Sequence, residues 1–380
     1  MTARLDESWQ LGSLTVPNRV MLAPLAGIGN WFVRLQAKRY GAGMAVSEMV
    51  SSHAIHHRNE KTCKEMLRID PREREPSPPP QGGFGSGGRA APGGPVSIQL
   101  FGEDPTVMRE AAAVVARLGA DVIDINMGCP VPKVRKTGAG AALLDDPDLA
   151  VAVAQAAVEG ARDAAGLPAD APGEGRERAG GMRAGGIPIT VKLRSGLRPG
   201  DESGFELAHR LVAEAGIAAI GFHPRSAAVH HKGTPDYELA ARLVDSLSAP
   251  VILTGGMNDA QSVREAFTRT GAAAVMLARG ALGNPWLFSE LLGTVPGHEG
   301  GPSREQVLAE LQWTVDRAVE HLGELRATRY LRKFYPWYIP RMRLEANVAK
   351  SLQESLQSAP TLADVGELLE LLDSPAALAV

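Results

Sequence analysis

Residues 121–130 have the sequence DVIDINMGCP, in which a short apolar run ends in Asn126 and is followed closely by a glycine. A run of this length, rich in Ile and Val on both faces, is typical of a buried parallel strand. Similar runs recur at 19–24, 43–48, 95–101, 187–193, 217–222, 250–254 and 272–278. Eight such strands that alternate with helical patterns predict a (β/α)8 TIM barrel, and a doubly wound open sheet is the competing α/β architecture.

Helix starts are predicted where a capping side chain precedes a proline or an amphipathic stretch. The predicted starts are Asp104-Pro105, Asp146-Pro147, Thr234-Pro235, Asn258 with Gln261, and Asn284 before Pro285. After Gly301 the alternation stops, and a predicted capping box of Ser303 and Gln306 begins a series of helical patterns. We therefore predict a barrel domain at 1–300 and a C-terminal all-helical domain at 301–380.

Two stretches do not fit the alternation of strands and helices. Residues 71–94 are rich in Pro, Gly, Ser and Arg, and residues 163–186 are rich in Gly, Ala and charged residues. Neither has an apolar periodicity that could offset the entropy cost of ordering the chain. We predict that both are flexible insertions at the periphery of the barrel and carry no catalytic residue.

Composition limits the possible classes of protein. The formal net charge is −3, so any nucleic-acid surface must be a local patch. Two cysteines, Cys63 and Cys129, are too few for a disulfide framework or a zinc site, which favours a reducing compartment. The chain shows neither a signal-peptide pattern nor an apolar run long enough to span a membrane. We expect a cytoplasmic, monomeric protein with no metal and no membrane contact.

Polar residues or glycines stand at the ends of most predicted strands, where TIM barrels build their active sites. Gly255-Gly256 follows the seventh strand and Arg279-Gly280 follows the eighth, the positions at which such barrels often bind phosphate. Lys192 in the fifth strand would place a positive charge beside a flavin ring. Each feature has an ordinary explanation when taken alone, since glycines often form tight turns and a strand lysine often forms an ion pair. The predicted binding site therefore depends on the occurrence of all these features at one rim.

Cys129 lies in the segment 126–130, which directly follows the fourth strand, and it precedes Pro130. A cysteine there can be a nucleophile, a proton donor or an inert packing residue. A neutral thiol can protonate a carbanion formed opposite a flavin. Free cysteines are more often packing residues, but the position at a strand end favours the proton donor. Cys63 has no such context, and we interpret it as structural.

Six segments together resemble the tRNA-dihydrouridine synthase family, particularly its bacterial B-type branch. They are LAPLAGIGN at 22–30, NMGCPVPKVRKTGAGAALL at 126–144, VKLRSG at 191–196, HPRSAAVHHKG at 223–233, TGGM at 254–257 and MLARGALGNPW at 276–286. The resemblance implies that NADPH or NADH reduces FMN, that hydride then passes to C6 of a uracil in tRNA, and that Cys129 protonates C5. The implied FMN contacts are Pro24, Leu25, Ala26, Gln99, Lys192, His223, Thr254, Gly255, Gly256, Ala278 and Arg279.

The stretch RATRYLRKFYPWYIPRMR at 326–343 is basic, lacks acids and contains interleaved aromatic residues. Cations can bind phosphates and aromatic rings can stack on unpaired bases, so this stretch predicts a tRNA surface. The alternative is an ordinary helix whose aromatics dock on the barrel and whose arginines are solvated, and both descriptions can hold in part. The predicted substrate or RNA contacts are Asn126, Lys133, Arg135, Lys136, Arg225, Arg329, Arg332 and Lys333.

Two other functions compete with this prediction. One is an FMN-dependent barrel that acts on a free pyrimidine, as dihydroorotate dehydrogenases do; the basic aromatic stretch favours RNA, because a free base does not need it. The other is a non-catalytic RNA-binding protein on an enzyme barrel. The presence of Cys129, Lys192 and the phosphate-site glycines argues against it.

Overall fold

The structure is a computed structural model that describes residues 3–77, 93–166, 186–294 and 301–373. Eight parallel strands follow one another in chain order and close into a barrel, because the last strand pairs with the first through Val275 and Val20. The TIM barrel is therefore confirmed and the open sheet is wrong. The barrel strands, each overlapping a predicted one, are β3 (Val20–Leu22), β4 (Met44–Ser51), β5 (Val96–Phe101), β6 (Val122–Met127), β7 (Ile189–Arg194), β8 (Ala219–His223), β9 (Val251–Thr254) and β10 (Ala274–Leu277).

A hairpin precedes the barrel and was not predicted. It consists of the antiparallel strands β1 (Trp9–Leu11) and β2 (Leu14–Val16), which are too short to show a clear pattern in the sequence. Its buried side chains form an apolar cluster with residues from the barrel strands, among them Met21, Met44 and Ile252. The turn at Gly12 approaches Pro188 and Ala218, which precede β7 and β8. The hairpin therefore covers the amino-terminal end of the barrel, opposite the predicted active site.

Nine helices accompany the barrel strands in the described part of the chain. They are α1 (Trp31–Arg39), α2 (Ser52–His56), α3 (Pro105–Arg117), α4 (Pro132–Arg135), α5 (Pro147–Ala165), α6 (Ser203–Ala215), α7 (Tyr237–Ser246), α8 (Ala260–Thr270) and α9 (Trp286–Leu291). The predicted caps Asp104 and Asp146 are confirmed, since each side chain accepts a hydrogen bond from a backbone N–H of the first helical turn.

Three predicted helix starts are wrong by one or two residues. Asp236, not Thr234, caps α7, and Asp259 with Ser262, not Asn258 with Gln261, forms the capping box of α8. In both cases a carboxylate slightly further along the chain is the acceptor that meets the free N–H groups. Asn284 does not cap α9; its amide donates to the Gly280 carbonyl instead.

The first predicted insertion starts too early. Pro71–Glu73 forms a 3-10 helix, and the Glu73 carboxylate makes a fully buried ion pair with Arg34 at 2.7 Å. The Lys38 amine donates to the carbonyls of Glu73 and Gly94, and burial lowers its pKa to about 7. The second predicted insertion also starts too early, because α5 continues to Ala165. Residues 78–92 and 167–185 of these two stretches lie outside the described residues.

The C-terminal region is helical, and the capping box of Ser303 and Gln306 is confirmed. A buried carboxylate docks it on the barrel. Glu310 accepts hydrogen bonds from the Gln36 amide at 2.8 Å, the Tyr40 hydroxyl at 2.8 Å and the Arg39 guanidinium at 3.2 Å. The helices of this region are α10 (Arg304–Leu322), α11 (Glu324–Leu331), α12 (Tyr335–Tyr338), α13 (Ala346–Ser358) and α14 (Leu362–Asp373).

The domain boundary between 300 and 301 stays a prediction, because 295–300 are not described. Within the ranges that the structure covers, every helix is too short or too polar to cross a membrane. The same ranges contain no group of three or more His, Cys, Asp or Glu side chains arranged to hold a metal ion.

We expect Glu310→Ala to lower the free energy of unfolding by about 3 kcal/mol, because it leaves buried donors on Gln36 and Tyr40 without their acceptor. Urea unfolding of the full chain measures this loss. Glu354→Ala, at an exposed position on α13, is the matched control. Equal stabilities for the two variants would show that Glu310 does not stabilise the docked region.

Candidate active site

The carboxyl ends of the barrel strands bring most of the predicted site residues to one rim. Asn126 on β6 lies opposite Lys192 on β7, and Arg194 on β7 lies opposite His223 on β8. Gln99 on β5 lies opposite Asp124 on β6, one layer below. Residues that are far apart in the sequence therefore meet because parallel strands end at the same edge.

Positive side chains accumulate at this rim. Burial, together with the positive charge of neighbouring Arg194, lowers the pKa of Lys192 to about 8. Burial also lowers the pKa of Arg194 to about 10 and that of His223 well below its usual value. Arg279 contributes to the lowered pKa values of Arg225 and His231, after burial. No ion pair to any of these residues is found within the described ranges, so the rim favours a negatively charged ligand.

The glycines after β9 are required by their backbone conformation. Gly255 has φ +102° and Gly256 has φ +79°. A Cβ atom would lie 2.4 Å from the His223 ring at the first position and 2.6 Å from Pro235 at the second. The Tyr237 hydroxyl donates to the Gly255 carbonyl at 2.9 Å. Only glycine fits at these two positions. Because glycine has no side chain, residues 255 and 256 do not shield the backbone of the turn.

The other predicted residues near this turn differ in exposure. Thr254 is buried, and its hydroxyl donates to the Met276 carbonyl at 3.0 Å, so its side chain already has a partner within the protein. Ala278 is partly buried and Arg279 is exposed. Arg279 is thus the side chain of this group that can reach outward to a phosphate.

A hydrogen-bond chain leads from a buried carboxylate to the cysteine loop. Asp124 accepts from the Thr190 hydroxyl at 2.5 Å and from the Gln99 amide nitrogen at 2.6 Å. The Gln99 amide oxygen accepts from Asn126 at 2.9 Å, and the Asn126 oxygen accepts from the Cys129 N–H at 2.9 Å. Because an ionised carboxylate can only accept, Asp124 fixes the orientation of both amides and thereby of the acceptor at Cys129. Asp124 and Thr190 were not predicted as site residues.

Arg194 holds the cysteine loop from the other side and was also missed. It donates to the Gly128 carbonyl at 3.0 Å, and to the carbonyls of Ser226 and His230 in the loop after β8. A charged residue directly after the apolar run 187–193 was the available signal in the sequence. Cys129 itself is partly buried at the rim, and so it is held in place but reachable. Cys63 is exposed, which makes its interpretation as a structural packing residue wrong.

The first predicted flavin loop contacts the C-terminal region. Pro24 is partly buried and Ala26 is exposed. Leu25 is buried and borders a small void that is also lined by Phe334 and Trp337. The Leu25 side chain therefore packs toward the helical region.

The predicted RNA residues fall into two groups. Lys133, Arg135, Lys136 and Arg329 are exposed, and no hydrogen-bond or ion-pair partner is found for their side chains among the described residues. Three of the others use their side chains on backbone carbonyls: Arg225 on Gly233, Arg332 on Ala359 and Lys333 on Gly27. The eighth, Asn126, uses its side-chain amide on Gln99 and on the Cys129 N–H.

The aromatic residues of the basic stretch mostly pack inside the protein. Phe334, Tyr335 and Tyr338 are buried and cannot stack on a base in this conformation. The docked-aromatic alternative is therefore correct for these three residues, while Tyr330 and Trp337 are partly exposed.

The chain matches the family model described as dihydrouridine synthase at residues 21–169 and 182–374. It is 33% identical over 337 residues to tRNA-dihydrouridine synthase B of Pseudomonas aeruginosa, covering 87% of this chain and 86% of that protein. It is 33% identical over 330 residues to a probable tRNA-dihydrouridine synthase of Rhodobacter capsulatus, covering 86% and 88%. A solved 2-naphthoyl-CoA reductase complex is similar with a TM-score of 0.52 and 14% identity, covering 78% of this chain and 53% of that chain, which supports the fold alone.

The pH dependence of stability tests the buried state of Asp124. Burial raises its pKa from 3.8 to about 6, so the folded protein binds this proton more tightly than the unfolded chain. Stability from this group should therefore rise as the pH falls from 7 to 4. A pKa shift of about two units corresponds to about 1.4 kcal/mol per unit. The free energy of unfolding should therefore rise by about 3 kcal/mol relative to Asp124→Asn, which cannot titrate.

Urea unfolding of both proteins at several pH values measures this difference. Asp245→Asn, at an exposed position on α7, is the matched control. Parallel stability profiles for wild type and Asp124→Asn would contradict the raised pKa.

Proposed function

The chain belongs to the dihydrouridine synthase family, and from this premise we propose that it reduces the C5–C6 double bond of uridines in tRNA, with FMN as its flavin and Cys129 as the proton donor. The observation that carries the proposal is Cys129 itself, partly buried at a rim of unpaired cations and held by Asn126. The curated relatives are named for activity on tRNA, which favours this function over reduction of a free pyrimidine.

The donor set at the rim fits an anionic flavin. The Lys192 amine has no hydrogen-bond or ion-pair partner in the described part of the chain, and the Arg225 Nε atom is buried without one. We propose that the backbone of Gly255, Gly256 and Ala278, with Arg279, holds the FMN phosphate. The ring would be bordered by Pro24, Leu25, Ala26, Gln99, Lys192, His223 and the backbone of Thr254.

Bound FMN, reduced by NADPH or NADH, would supply the hydride that adds to C6 of the uracil. Hydride addition leaves an electron pair at C5, which the Cys129 thiol protonates, and solvent can return the proton because the residue is partly exposed. Asn126 and Arg194 hold the loop that carries Cys129, so that the thiol stays in a fixed position for proton transfer to C5. The products are a saturated C5–C6 bond and an oxidised cofactor, which balances one hydride and one proton.

A tRNA substrate needs a positive surface around the rim. Lys133, Arg135 and Lys136 follow Cys129 by a few residues and are exposed without partners, so we propose that they bind the RNA backbone close to the target. Arg329 extends this surface onto the helical region. The target uracil must turn out of the RNA fold to reach the thiol. The proposed compartment is the cytoplasm, and the monomeric state stays a prediction.

Cys129→Ala should fold, bind flavin and allow NADPH to bleach the flavin absorbance. Return of the absorbance on addition of tRNA that lacks dihydrouridine should be ~10²–10⁴-fold slower, because the proton donor is missing. Cys129→Ser should recover only part of the rate, since a hydroxyl is a weaker acid than a thiol. Stopped-flow absorbance separates the two half-reactions.

Cys63→Ala is the matched control for Cys129→Ala, because Cys63 is exposed on the short π-helix Thr62–Met66. It should leave both half-reactions unchanged. A normal second half-reaction in Cys129→Ala, with a lowered melting temperature, would make Cys129 a packing residue.

Changing Arg135 and Lys136 together to Ala should weaken tRNA binding and flatten its salt dependence by about one unit of log–log slope for each lost phosphate contact. The dissociation constant is measured at several salt concentrations. Arg117→Ala is the control, since Arg117 ends α3 at the opposite end of the barrel. An unchanged slope in the double variant would show that Arg135 and Lys136 are ordinary solvated surface residues that do not bind tRNA.

A further inference from the structure

Two residues from opposite ends of the chain hold the peptide groups of Gly27, at the tip of the loop 24–30. The Gly27 N–H donates to the Glu48 carboxylate at 2.9 Å, and the Lys333 amine donates to the Gly27 carbonyl at 3.1 Å. Gly27 has φ +71°, a conformation that residues other than glycine rarely adopt. The tip therefore depends on partners outside the loop to keep its shape.

Tyr330 holds the next part of the same loop. Its hydroxyl donates to the Ile28 carbonyl at 3.1 Å and accepts from the Asn30 amide at 2.7 Å. The Tyr330 ring packs against Phe334, and the Lys333 amine lies 4.6 Å from the ring centroid. Tyr330 and Lys333 thus form one unit at the end of α11 that contacts successive peptide groups of the loop.

We propose that Tyr330 and Lys333 are positioning residues for the flavin, which act by fixing the loop 24–30 against the barrel rim. The inference rests on the proposed flavin site, because that loop carries Pro24 to Ala26. In this proposal the Lys333 amine binds the first predicted flavin loop. The sequence had predicted that it binds an RNA phosphate. The C-terminal region then contributes to the cofactor site as well as to the RNA surface.

The contacts separate this role from general stabilisation of the fold. Lys333 is exposed, and its side-chain hydrogen bond goes to the loop carbonyl. Tyr330 keeps its ring contacts when only the hydroxyl is removed. Lys333→Met and Tyr330→Phe therefore remove the hydrogen bonds to the loop and leave the packing of the helices in place.

The test measures FMN affinity of the full chain after its flavin has been removed and identified. Quenching of FMN fluorescence should give a dissociation constant about tenfold weaker than the wild type for Lys333→Met, which loses one hydrogen bond, and at least as weak for Tyr330→Phe, which loses two. Lys333→Arg, which keeps a donor, should restore most of the affinity. Lys350→Met is the matched control, because Lys350 is exposed on α13.

The outcomes distinguish this inference from the proposed function. Wild-type affinity in both variants, with tight FMN binding by the wild type, would overturn the positioning role and leave the function standing. A wild-type protein that binds no flavin would overturn the function and this inference with it. Weaker FMN binding in the variants, at an unchanged melting temperature of the flavin-free protein, supports positioning.

Discussion

Closure of the parallel barrel is the constraint on which the candidate site depends. Because β10 pairs with β3, the strands form a ring without free edges, and all of them end at the same rim. Residues from Pro24 to Arg279 therefore surround one opening, although no short segment contains more than a few of them. The hairpin at the amino-terminal end fills the other side, so ligands have one face on which to bind.

The cations of the rim form no ion pairs among the described residues, and this arrangement has an energetic cost. Burial lowers the pKa values of Lys192, Arg194 and His223, which shows that the protein alone disfavours additional positive charge there. An anionic ligand would relieve that cost and would stabilise the folded state by mass action. Asp124, the carboxylate below, accepts one hydrogen bond on each oxygen, from Gln99 and from Thr190. The rim is thus arranged for a ligand that brings its own negative charge.

Local features of the sequence predicted much of the fold, and contacts between distant segments account for what they missed. Apolar runs predicted all eight barrel strands, and Asp104 and Asp146 marked helix starts, because a strand or a cap depends on near neighbours. Arg194 was visible as a charge directly after the apolar run 187–193, but its partners at Gly128 and His230 come from other loops. Lys333 looked like an RNA contact for the same reason, since the sequence does not show that Gly27 lies beside it.

The buried amine of Lys38 has a consequence for how this chain can change its length. It donates to the carbonyls of Glu73 and Gly94, and so holds these two points of the chain close together beside the barrel. When the end points of a loop are held by the core, adding residues costs only a slowly growing closure entropy. The barrel can therefore tolerate extra sequence at this connection, and a foreign domain could be grafted there while the strand register on either side is kept.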